Sequence, residues 1–512
     1  MSDGDPAPEP TVTPPGPPPA PSTMGGPAAA ALVFGSSAAV LVVELVALRL
    51  LAPYLGLTLE TNTVVIGVAL TAIAVGSWWG GRLADLVPAR RLIGPLLLVS
   101  GVTVAATPFL VRLAAESADG SMLLLAAGLT LFVPGALLSA VTPAVTKLRL
   151  SSIAETGTVV GRLSGIGTAG AVVGTVVTGF VLVSRVPVTG IMVGLGLALV
   201  VAAVAVEARL RLVRGAAGAS LVLVALGGLG GAVGPGGCDA ETTYHCVVVE
   251  QDPERESGRV LVLDGLRHSY VDLDDATHLE FAYVQAIASA VDTALPGQEA
   301  VDAYHLGAGA LTVPRYLDAV RPGSSSLVSE IDRGVVDAAV SRVGVDLPPD
   351  IEVRVEDGRL GLGRLGDDTH DLVVGDAFGG VSAPWHLATR EAVGEVDRVL
   401  RDDGVYVANL IDHGPLGFAR AEVATLASTF DHVALAADAD TVGRTAAAGG
   451  NLVALASDRP LDTAAWQARL DERGTDWRVI TGRDLRSWVD GADVLTDELA
   501  PVDQLLTPYP VA

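Results

Sequence analysis

The two halves of the chain carry different hydrophobic patterns. Apolar runs of 18 or more residues recur at about 29–51, 62–80, 92–111, 122–146, 158–184, 188–207 and 217–235. Each is long enough to cross roughly 30 Å of hydrocarbon as a helix, so the pattern predicts an all-α transmembrane bundle of about seven spans over residues 29–236. Pro134 and Pro143 in the fourth run predict a kinked or broken helix. Gly161, Gly165, Gly170 and Gly174 in the fifth predict close helix approach. Glu44 is a carboxylate inside the first run, read as a functional group or as a partner for Arg49 or another polar group.

Beyond residue 236 the pattern changes. HCVVVEQ and RVLVLDGLRHSYVDL read as strands of a small β element. Residues 277–294 show helical periodicity, with Thr277 as cap and Glu280 completing a capping box. The strands YHLGAG, SLVSEID, IEVRVED, HDLVVGD and GVYVANLI then alternate with helical stretches, including 333–343 and 387–401. That alternation predicts a parallel sheet wrapped on both faces, a Rossmann-like α/β domain over residues 247–455. Residues 456–512 are expected to form an α/β extension without chemistry, and residues 1–28, rich in proline and lacking Lys and Arg, a disordered tail.

Charge follows the same division. Residues 1–236 hold 12 Lys+Arg against 10 Asp+Glu, and the remainder 21 against 48, so the net charge of −25 belongs to the C-terminal half. Such a field repels nucleic acid and suits polycations. Basic residues alternate between connections, with Arg82, Arg90 and Arg91, then Lys147, Arg149 and Arg162, then Arg209, Arg211 and Arg214 on one face, and only Arg112 and Arg185 near the other. The positive-inside rule makes the rich face cytoplasmic, leaving the C-terminal domain outside a cell membrane. Cys238 and Cys246, the only cysteines, lie just past the last run and are expected to form a disulfide, as an oxidising face permits. His245 beside them raises a metal site, for which two thiols and one imidazole are too few ligands.

Candidate chemistry gathers at the carboxyl ends of the predicted strands, where ligands of such sheets bind. Gly307 and Gly309 let backbone approach a ligand, Glu330 about 20 residues on can take ribose hydroxyls, Asp357 can accept from an adenine amine, and Asp376 stands where substrates react. LVLDG at 261–265, LGAGALTVPRYL at 306–317, EID at 330–332, EDGR at 356–359 and DLVVGDAFGG…PWHLAT at 371–389 together resemble spermidine synthases, the polyamine aminopropyltransferases. ELVALRLLAPYLG, IGVALTAIAVGSWWGGRLAD and ETGTVVGRLSGIGTAGAVVGT resemble the membrane part of fused bacterial multi-pass proteins of that family.

The resemblance implies transfer of an aminopropyl group from decarboxylated S-adenosylmethionine, a co-substrate rather than a tightly bound cofactor, to putrescine or a related amine; the family's usual base is a second aspartate, and Asp376, which matches the first, is the base expected here. It also implies His268 at the amine-binding position that the family fills with glutamine, and association of the domain with itself. The chain departs from the family at Gly379, where a second aspartate stands, and at Ala310, an acidic position. Alternatives are a methyltransferase of the same fold, or a non-catalytic nucleoside- or polyamine-sensing module on a transporter-like bundle. His268 and His386 are further candidates to assist proton transfer.

Overall fold

The computed structural model describes residues 24–507 except 56–58, 118–119, 151–155, 184, 211–237, 298, 381 and 446–447. Among the described residues seven α-helices make the N-terminal bundle: α1 (Gly26–Leu55), α2 (Leu59–Leu86), α3 (Ile93–Ser117), α4 (Gly120–Ser139), α5 (Val141–Arg149), α6 (Thr156–Val177) and α7 (Val188–Leu210). Among the described residues they form six apolar membrane-type spans, because α4 and α5 share one. The expected span at 217–235 lies outside the described residues. α1 begins at Gly26, inside the segment 1–28 expected as a tail, and residues 1–23 lie outside the described residues.

The break between α4 and α5 has a local cause. Pro143 has no N–H to offer the carbonyl of Ser139, the last residue of α4. The glycines of α6 divide between two faces. A Cβ on Gly170 or Gly174 would meet the α1 carbonyls of Phe34 or Ala38 at 2.2 and 2.7 Å, whereas Gly161 and Gly165 face open space.

The contacts between helices fix which ends lie together. Gly94 sits against Glu207 and Gly101 against Val200, so α3 and α7 run antiparallel. Arg149 reaches the carbonyl of Met24 at 3.1 Å, and Lys147 pairs with Asp85. Arg82, Arg90, Arg91, Lys147, Arg149 and Arg209 therefore gather at one end of the bundle. The C-terminal domain meets the opposite end, where α1 and α3 finish and α7 starts.

That domain has two sheets. Strands β1 (Ala240–Glu241), β2 (Cys246–Gln251), β3 (Gly258–Leu263) and β4 (Leu266–Asp272) form an antiparallel sheet in sequence order. The β3–β4 turn is Asp264–Gly265, both with positive φ (52° and 80°), as a tight two-residue hairpin requires. The larger sheet contains β5 (Asp302–Leu306), β6 (Ser325–Glu330), β7 (Ile351–Val355), β8 (His370–Gly375), β9 (Leu400–His413), β10 (His432–Ala437), β11 (Gly449–Ser457) and β12 (Arg478–Thr481). Its order is β12-β10-β11-β9-β8-β5-β6-β7.

Strands β5 to β9 are parallel, as the alternation of strands and helices predicts, but β10, β11 and β12 pair antiparallel. The sheet is thus mixed. Residues 456–512 place β12 in this same sheet and Trp466, fully buried, against the helix Ala282–Ala294, where its indole donates to the Ala286 carbonyl at 3.2 Å. The expected capping box does not form. Thr277 is held in a turn by Asp275 through its N–H at 3.0 Å and its hydroxyl at 2.6 Å, and the helix begins only after Phe281.

Candidate active site

The order of the parallel strands puts β5 between β6 and β8, and a cavity of about 520 Å³ opens above their carboxyl ends. Gly307 follows β5 with φ +93°, and a Cβ there would lie 2.5 Å from the carbonyl oxygen of Asp376. Gly309 (φ +49°) leaves equally little room, its missing Cβ falling 2.3 Å from the hydroxyl of Ser269. That hydroxyl accepts from Ala310 N–H at 3.1 Å, so the small sheet clasps the turn.

At one end of the cavity Glu330 ends β6. Its two oxygens accept from the N–H groups of Ala308 at 2.9 Å and Asp332 at 2.8 Å, and each retains a free lone-pair direction. Burial pushes the carboxyl up, against the pull of those two N–H groups. Asp357 caps the next helix by accepting from Leu360 N–H at 3.0 Å, and its second oxygen meets His386 Nε2 at 2.9 Å. Burial pushes Asp357 up, but these hydrogen bonds outweigh it and hold the carboxyl below the usual range. His386 is thereby committed to Asp357.

At the other end Asp376 follows β8. Asn409 of β9 donates to it at 2.7 Å, and Asn451 of β11 donates to Asn409 at 3.0 Å. Burial raises the Asp376 carboxyl to about 6, although the hydrogen bond from Asn409 pulls the other way. The Tyr283 phenol, pushed well above 10 by burial and by Asp376, stays protonated and donates to the His268 carbonyl at 3.0 Å. His268 also lines this end, with Nδ1 3.0 Å from the Leu266 carbonyl, and burial holds its ring below the usual range.

Gly307, Gly309, Glu330, Asp357, His268 and Asp376 all line the one cavity. Asp332 does not. It caps the helix Arg333–Ala338 and accepts from Thr242 and Tyr244, fully buried. Tyr283, Asn409 and Asn451 went unread in the sequence. The signal for the two asparagines was there, as a carboxamide within a buried apolar strand requires a partner. Cys238 and Cys246 are disulfide-bonded. His245 is tied to Asp264 at 2.7 Å, and Asp264 also accepts from Cys246 N–H at 2.8 Å, which gives the LVLDG run a structural role beside its turn.

No family model matches the chain. A polyamine aminopropyltransferase of Vibrio vulnificus is 33% identical over 106 residues, 20% of this chain and 36% of the relative. The chain thus spans about a third of the length of the curated relative it matches. Among solved structures, a probable spermidine synthase from Corynebacterium glutamicum is 27% identical with a TM-score of 0.47, covering 51% of this chain and 96% of that one. A spermidine synthase in complex with the transition-state analogue AdoDATO is 17% identical with a TM-score of 0.34, covering 42% and 71%. Human methyltransferase-like protein 13 in complex with SAH is 16% identical with a TM-score of 0.30, covering 44% and 97%. The chain is thus similar to a polyamine aminopropyltransferase over 106 residues, and it also carries a bundle of membrane-type helices.

Proposed function

We propose that the chain is a membrane-tethered aminopropyltransferase, moving the aminopropyl group of decarboxylated S-adenosylmethionine to an amine such as putrescine. The observation that carries this reading is one cavity with two unlike carboxylate ends, a pair suited to sugar and base at Glu330 and Asp357 and a half-buried carboxyl raised to about 6 at Asp376. The similarity to a polyamine aminopropyltransferase supports it.

In this reading Glu330 accepts from ribose hydroxyls, Asp357 from the exocyclic amine of adenine, and the Gly307 turn lets the nucleoside approach the backbone. The sulfonium is already an activated leaving group. The amine lone pair forms a bond to the carbon beside sulfur, the C–S electron pair returns to sulfur as methylthioadenosine departs, and Asp376 takes the ammonium proton. Asn409 orients Asp376 and, by donating to it at 2.7 Å, stabilises its charged form.

A donor keeping its carboxylate, as in a methyltransferase, needs a cationic or amide partner. Of the cavity's lining groups, Arg267 lies over the Phe281 ring at 5.3 Å, the Asn409 amide donates to Asp376 and the Asn451 amide to Asn409, while Arg315 is occupied with the Asp272 carbonyl at 3.2 Å. This favours the decarboxylated donor.

The topology belongs to the same proposal: the arginine- and lysine-rich end of the bundle faces the cytoplasm and the domain with its disulfide lies outside a bacterial cell membrane. The ends of α7 and β1 support it, since Arg209 and Glu241 stand at opposite ends of the bundle. The test of the activity is mass spectrometry of the full chain in lipid nanodiscs with decarboxylated donor and putrescine. Methylthioadenosine and spermidine are expected in equal amounts. Release of neither, from a folded sample, contradicts the proposal.

A further inference from the structure

Between the bundle and the cavity lies the segment Asp239–Cys246, closed by the disulfide to Cys238. Its two sides have separate partners. On the bundle side, Arg49 of α1 donates through Nη2 to the Thr242 carbonyl. Arg112 of α3 pairs with Glu241 at 3.3 Å and also donates to Thr189 at 2.8 Å, and Glu241 accepts from the Val188 N–H at the start of α7. On the domain side, one oxygen of Asp332 accepts from both the Thr242 hydroxyl and the Tyr244 N–H. Asp332 in turn donates its own N–H to Glu330 at 2.8 Å.

Tyr244 and His245, at the end of this segment, form part of the cavity wall and also part of the wall of a second, smaller cavity of about 30 Å³ that Arg49 and Arg112 line. The segment has no slack, because a Cβ on Gly334 would stand 2.5 Å from the Thr242 side chain. Asp332 is fully buried. If Thr242 and Tyr244 moved away it would keep only its cap to Gly334, and a buried carboxylate short of donors is unstable.

We propose that Arg49, with Arg112 beside it, is a positioning residue for the nucleoside end of the cavity. Two guanidinium groups on membrane helices fix the segment 239–246, that segment fixes Asp332 and Tyr244, and these set the carboxylate of Glu330. The inference rests on the reading of this end as a nucleoside site. It also gives a physical reason for Arg49 and Arg112 at the bundle end that is otherwise poor in basic residues, since both contact the domain docked there.

The test uses the full chain in lipid nanodiscs, with methylthioadenosine binding read by calorimetry and donor KM and kcat by product formation. Arg49→Gln is expected to weaken nucleoside binding and raise KM by roughly ten-fold, with kcat at saturating donor within about two-fold of the parent chain. Arg49→Lys, which keeps a charged donor for the carbonyl, is expected to recover most of the affinity. Arg49→Gln combined with Thr242→Val is expected to cost less than the product of the two single effects, because both act through one segment.

Parent-like binding by Arg49→Gln overturns the inference. So does a loss of kcat and thermal stability together that lysine does not recover, which marks a merely structural role. Absence of binding by the parent chain itself overturns the nucleoside reading and this inference with it, an outcome distinct from either result on the variant.

Discussion

At the scale of the residue, Asp376 is the position where burial and chemistry meet. Its carboxyl, raised to about 6, works as a base only when ionised, so kcat/KM is expected to rise with pH to a plateau with a midpoint near 6. A pH profile flat from 5 to 8 would contradict the assignment (roughly the range over which such a group must titrate). The same shift carries a stability consequence. The folded chain holds this proton more tightly than the unfolded chain, so stability is lost as pH rises from the unfolded value of 3.8 through about 6. Asp376→Asn removes that cost while keeping an acceptor for Asn409. It is expected to raise the unfolding free energy at pH 7 by an amount of order 2–3 kcal/mol, to lower turnover by about 10²–10⁴-fold, and to leave methylthioadenosine binding intact. Denaturant titration and steady-state rates check the two parts separately.

The glycines and carboxylates at strand ends were legible in the sequence because their positions follow from topology. Gly307→Ala is expected to abolish nucleoside binding, since its Cβ would lie 2.5 Å from the Asp376 carbonyl at a backbone φ of +93°. Binding retained at the parent affinity would show that the turn tolerates displacement. What the sequence hid was the set of partners. Asn409 donates to Asp376, Asn451 holds Asn409, and Tyr283 lines the same end; they come from two strands and a helix far apart in the chain, and only the order of the sheet brings them together.

At the scale of the element, patterns of period two and of long apolar runs carried most of the fold. The parallel strands β5 to β9 and the interruption of the fourth membrane run follow directly from local sequence. Antiparallel pairing of β10, β11 and β12 does not, because the direction in which each of these strands joins the sheet is set by where the preceding segment leaves it. The capping box at Thr277 failed for a local reason, as Asp275 offers a nearer acceptor and fixes a turn instead. The stretch after residue 456 reads as a peripheral addition in sequence, yet Trp466 is fully buried with its indole paired. Trp466→Ala is expected to destabilise the domain by about 3–5 kcal/mol. An unchanged unfolding midpoint would mean that this element contributes nothing to the core.

At the scale of the whole molecule, the arrangement joins a strongly acidic domain to the end of a bundle that is poor in basic residues, through the arginines Arg49 and Arg112. The charge asymmetry between loops was visible in the sequence, but the docking of the domain was not, because its arginine contacts join residues more than a hundred positions apart. A reporter fused after residue 512 is expected to be active only on the outer face, and cytoplasmic activity would refute both that topology and its explanation of the disulfide.

The most direct measurement of the central claim, that a sulfur-bearing nucleoside lodges between Glu330, Asp357 and Asp376, is calorimetric titration of the full chain in nanodiscs with methylthioadenosine. The account predicts saturable heat with one site per chain, weakened by Glu330→Gln. A folded parent chain that gives no heat, or a Glu330→Gln variant that binds as tightly as the parent, contradicts it.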